Sequence, residues 1–86
     1  HVLLEGSPYD VSCIKEAILA EFDYIEDVHD IHCWEISHNY YYLTCHVVLD
    51  SSNEEFYNKT IHEVSELLEN RFVIAHTTIQ IEYKEN

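Results

Sequence analysis

Basic residues are scarce: 4 Lys and Arg stand against 17 Asp and Glu, a formal net charge of −13. Phosphate binding rests on clustered Lys and Arg, so this balance argues against nucleic-acid partners, and an anionic lipid surface would also be repelled. A single glycine and a single proline in 86 residues leave little room for linkers, low-complexity tracts or phosphate-cradling loops. Three cysteines, Cys13, Cys33 and Cys45, are odd in number and widely spaced. They do not form a disulfide framework and point to a reducing compartment, with cysteine used as a small hydrophobe. No apolar run approaches the ~20 residues of a membrane span, and no signal peptide is visible. The opening HVLLEGSPYD, without an initiator methionine, suggests a piece excised from something larger.

What is present is enough for one fold. Hydrophobic residues at 47%, with 13% aromatics, support a single folded domain over 1–86 with one modest core. The acidic excess would draw cations, or only keep a small domain soluble.

Periodicity predicts five elements. Val11, Ile14, Ile18 and Phe22 recur at helical spacing behind a capping Asp10, giving a helix over 10–22. A strand over 28–37, a turn at His38-Asn39 and a strand over 40–50 follow. Leu43, Cys45, Val47 and Leu49 alternate along one face of the second strand. Ser52 or Asn53 caps a second helix over 53–70, its apolar side formed by Phe56, Ile61, Val64, Leu67 and Leu68. A strand over 72–83 closes the chain, and VLLE at 2–5 offers a short extra strand or a linker tail. The order α-β-β-α-β predicts an α+β, open-faced two-layer sandwich, ferredoxin- or metallochaperone-like. Its three-stranded mixed sheet carries both helices on one face, because the strand-helix-strand crossover is right-handed. The other face is left open.

The stretch VHDIHCWEISHNYYYLTCHVV, residues 28–48, holds four of the seven histidines and two of the three cysteines. Parity places His46 and His76 on the open face, where parallel neighbouring strands would bring them close. A two-residue turn sets residue 29 opposite 48 and 31 opposite 46, which favours His29 as the third donor. A bulge near Asp30 would bring His32 across instead. Imidazoles from three strands with Glu82 or Asp30 as a fourth donor suit Zn²⁺; each histidine could equally be a polar surface residue. Cys33 and Cys45 read as core filler. Trp34 and Tyr40-Tyr41-Tyr42 read as core or as an aromatic patch at a subunit contact.

LLEGSP (3–8), VHDIHCW (28–34), LTCHVVL (43–49) and HTTIQIE (76–82) together resemble the C-terminal cytoplasmic domain of cation diffusion facilitator transporters. The resemblance covers nearly the whole chain in the family's order. It implies a metallochaperone-like domain on the cytoplasmic side of the membrane, covalently attached to a transmembrane domain that carries out proton-coupled efflux. It also implies a homodimer that senses a divalent metal ion, Zn²⁺ or else Co²⁺, Cd²⁺, Mn²⁺ or Fe²⁺. Carried over by position, its ligands are His29, His46 and His76, with Glu82 as the substitute fourth donor. Thr78 stands where some members have an acidic residue. The competing reading is a free-standing metallochaperone or small-molecule-sensing domain, although the exposed CxxC of a copper carrier is missing. An enzyme is not expected, since no nucleophile or anion-binding loop accompanies the histidines.

Overall fold

A computed structural model describes residues 11–38 and 40–84. Its elements are helix α1 (Val11–Glu21), strand β1 (Ile25–Ser37), strand β2 (Tyr40–Asp50), a 3₁₀ segment (Ser51–Phe56), helix α2 (Tyr57–Arg71) and strand β3 (Ile74–Lys84). The sheet order is β1-β2-β3, antiparallel between β1 and β2 and parallel between β2 and β3. This is the α-β-β-α-β mixed sheet that the periodicity predicts. The expected cap at Asp10 and the VLLE segment lie outside the described residues.

The core lies between the helices and one face of the sheet. Leu43, Cys45, Val47 and Leu49 of β2 are at most 1% exposed, and they meet Ile14 and Ile18 of α1 and Val64 and Leu68 of α2. Strict alternation along β2 sends its other side chains to the open face, so one strand supplies both the floor of the core and the ceiling of the site. Thr60, fully buried on α2, donates its hydroxyl to Tyr24 Oη at 3.2 Å. Tyr24 in turn packs edge-on against Phe56, their ring centres 4.9 Å apart. That contact ties the α1–β1 connection to the start of α2.

Three boundaries differ from the sequence reading. β1 begins at Ile25, three residues early, because Ile25 is buried and pairs with Leu49. The second helix does not start at a cap on Ser52 or Asn53. Asp50 accepts from the Ser52 amide at 3.0 Å, the 3₁₀ segment follows, and Asn53 (φ −107°, ψ 27°) breaks it before α2. β3 begins at Ile74 and runs to Lys84.

The hairpin register also differs. Instead of residue 29 opposite 48 and 31 opposite 46, His29 faces His46 and His32 faces Thr44. β1 has shifts between Ile25 and Asp27, His29 and His32, and Glu35 and Ser37, and each extra residue slides the pairing along.

Candidate metal centre

The middle shift makes the site. Between His29 and His32 β1 advances three residues while β2 advances two, from His46 to Thr44. Asp30 absorbs the extra residue at φ 52°, a left-handed conformation that a short polar side chain tolerates better than a branched one. Without a bulge, two residues three apart face opposite sides; with it, His29 and His32 both stand over the open face. Parity alone makes them alternatives. The signal that both could share a face was Asp30 itself, placed where a positive φ was needed.

His29, His46 and Glu82 then converge from β1, β2 and β3. One ligand atom from each lies within 4.8 Å of the others, and all three residues are partly buried. His29 Nε2–H donates to Glu82 Oε1 at 2.9 Å, and His46 Nδ1–H donates to Glu82 Oε2 at 2.5 Å. The two imidazole centres are 5.1 Å apart. Asp30 borders the group, its Oδ2 3.6 Å from His29 Nδ1 and 3.9 Å from His46 Nδ1.

The electrostatics follow from these contacts. The hydrogen bond to Glu82 raises His29 above its ordinary value, with the Glu82 and Asp30 charges adding to it. The hydrogen bonds from His46 and then His29 hold Glu82 below the ordinary carboxylate range. A carboxylate shared by two imidazoles is where a divalent cation would sit if it displaced the bridging protons. Two imidazoles and a carboxylate match the N and O donors that zinc takes, with room for water or Asp30 as the fourth. The cysteines take no part: Cys45 is buried in the core with its thiol pushed up to about 12, and burial raises Cys33 as well.

β3 does not bring His76 to this group. The register sets Gln80 beside His46 and His76 beside Tyr42, so the expected closeness of His46 and His76 is not found. Four residues along a strand, at ~3.3 Å each, separate their rows by roughly 13 Å. His76 instead lies 3.5 Å by Nε2 from Tyr40 Oη, among the rings of Tyr40 and Tyr42. His32 occupies the row between, opposite Thr44. His62 is exposed on α2 beside Glu66.

Fold and donor set together define a small open-faced α-β domain with a cation-type donor group spanning its three strands. The chain belongs to the family of cytoplasmic domains of cation efflux proteins, whose model matches residues 7–84. That is a family of transporter domains and not of enzymes. The chain is 38% identical over 89 residues to the cadmium, cobalt and zinc/H(+)-K(+) antiporter of Bacillus subtilis, covering 95% of this chain and 27% of that protein. It is 34% identical over 85 residues to the vacuolar zinc transporter TgZnT of Toxoplasma gondii, covering 96% of this chain and 9% of the transporter. The chain therefore spans about a quarter or less of these relatives. Among solved structures, the metal-bound C-terminal domain of the CzcD transporter from Cuprividus metallidurans is similar at a TM-score of 0.72 and 31% identity, over 86% of this chain and 99% of that one.

Proposed function

We propose that this domain binds a divalent cation on its open face and reports it to a covalently attached membrane domain that carries out proton-coupled efflux. His29, His46 and Glu82 are the ligands, with Asp30 or water completing the shell. Zinc is the ion the donors suit best, and Co²⁺, Cd²⁺, Mn²⁺ and Fe²⁺ are its competitors. The observation that carries this reading is the convergence of the three donors from three strands. Metal-bound structures and metal-exporting relatives of the same family support it. His76 and His32, on the same face but outside this group, are further donors of lower affinity. The domain acts as a homodimer, since metal neutralises part of a large like charge on each copy. It senses and does not catalyse.

Titration calorimetry with zinc, paired with the visible spectrum of the cobalt complex, tests the reading. One tight site with a tetrahedral cobalt spectrum is expected, and it should be lost in His46→Ala with Glu82→Ala. A spectrum unchanged in that variant would overturn the ligand set.

A further inference from the structure

Among the described residues, β1 and β3 are the two edges of the sheet, and they are finished differently. β1 is irregular at three places and turned at Asp30, and it carries Glu26, Asp27, Asp30 and Glu35. Those are the devices that keep an edge strand from pairing with another chain. β3 has fewer of them: one shift, at its start between Ile74 and His76, and two charged residues of opposite sign. Its eleven residues, IAHTTIQIEYK, contain no proline or glycine. From His76 to Lys84 they pair with β2 without a shift, and among the described residues they pair with no other strand. Glu82 and Lys84 cancel, while every other helix and strand carries net negative charge. In a chain of −13, the outer edge of β3 is where a second copy meets least repulsion.

We propose that this edge pairs antiparallel with β3 of a second copy about a two-fold axis through Ile79, joining the two sheets into one of six strands. The proposal rests on the homodimer reading above and names the surface that makes the dimer. Isologous pairing requires that residue i meet j and j meet i. Centring on Ile79 lets the whole strand pair, from Ile74 opposite Lys84 of the second copy to the reverse. On the open face His76 then meets Glu82 of the second copy, and Thr78 meets its Gln80. On the helix face Thr77 meets Ile81, and the two Ile79 side chains meet each other. No like charges stand opposite, and β-branched residues fill the centre. Both donor groups remain on one side of the joined sheet.

The test uses the 86-residue chain at micromolar concentration and moderate salt, in a Cys13→Ser background so that only introduced thiols are accessible. Ile79→Cys places two Cα atoms at a cross-strand distance of ~4.5–5.5 Å, within the span a disulfide bridges, and should form one between copies on mild oxidation. Thr77→Cys should not, because in this register its own counterpart lies about 13 Å away along the strand. His76→Glu opposes two carboxylates twice per dimer and should weaken dimerisation roughly fivefold by sedimentation, whereas His76→Lys should tighten it. A dimer in which Ile79→Cys does not cross-link overturns the β3 edge and leaves the homodimer reading standing. A chain that stays monomeric, with and without zinc, overturns both.

Discussion

At one end of the open face, His29, His46 and Glu82 converge beside Asp30, four ionisable side chains in one group. At the other end of the same strands, Trp34 stacks edge-on against Tyr42 with ring centres 4.9 Å apart, and Tyr40 and Tyr42 flank His76. Glu82 and His76 stand six residues apart on β3, roughly 20 Å at ~3.3 Å per residue. Both ends obey the same alternation. What differs is what the register sets side by side: donors with donors at one end, and a single histidine among rings at the other. A histidine on an open face is therefore not a ligand by parity alone; it needs neighbours in its own row or the next.

The comparison breaks most directly by removing donors from each end. His46→Ala with Glu82→Ala should lower zinc affinity at least about 100-fold, more than the 10–100-fold typical of changes beyond the ligands. His76→Ala should change it by no more than about threefold. Saturating zinc at about 100 times its Kd should stabilise the parent by about 2.7 kcal/mol, a rise in melting temperature on the order of 10 °C. The double variant should show none of it. Equal losses from the two ends would mean that the donors are shared between them.

Acidity separates the ends next. His29 is raised above its ordinary 6.5, so the stability it contributes without metal is complete below about pH 6.5 and is lost as pH rises through its folded value. Glu82 is held below its ordinary 4.5, so its contribution is present above about pH 4.5 and is lost as pH falls through its folded value. The metal-free melting temperature should therefore decline modestly from pH 6 to pH 8. Zinc affinity should rise over the same range, because zinc needs the imidazole that the proton occupies. In Glu82→Gln the decline in melting temperature should flatten. A metal-free domain whose stability climbs toward pH 8 would contradict the His29–Glu82 pair.

The aromatic end should answer through stability instead. Trp34→Ala removes an edge-on contact with Tyr42 of the kind worth ~0.5–1.5 kcal/mol. Denaturant unfolding should show a loss of about 1 kcal/mol, with zinc affinity unchanged by calorimetry. A large loss of affinity in Trp34→Ala would join the two ends energetically.

Much of this was legible in the chain itself. Strict alternation at Leu43, Cys45, Val47 and Leu49 announces a half-buried strand, and parity alone puts His46, His76 and Glu82 on one face. The position of His76 along that face was not legible, because parity fixes the face and not the row. The row depends on how β3 slides against β2, which is set by where α2 ends and how Ile74 seats in the core. His29 and His32 depended on a bulge, which adds a residue without changing composition. Ile25 was missed because the acidic Glu26-Asp27 beside it resembles a loop. The cap on Asp50 was missed because a 3₁₀ segment intervenes before the regular helix.

Asp30 offers the smallest and most discriminating test, because it serves the site in two separable ways. Its backbone makes the bulge at φ 52°, and its carboxylate sits 3.6–3.9 Å from both imidazoles. Asp30→Gly keeps the first and removes the second. Glycine accepts a positive φ without strain but adds freedom to the unfolded chain, so the two effects on stability nearly cancel, within about 0.5 kcal/mol. The carboxylate is 60% exposed, so water screens its pull on a bound ion. Zinc affinity should fall by no more than roughly threefold if Asp30 is a neighbour of the site. A fall of about 100-fold in Asp30→Gly, with melting temperature unchanged, would make Asp30 the fourth ligand in place of water. Asp30→Asn sharpens the reading: it tolerates the same backbone and keeps an oxygen in place while removing the charge. If Gly loses affinity and Asn does not, the oxygen is coordinating; if both lose the same small amount, only the charge was felt.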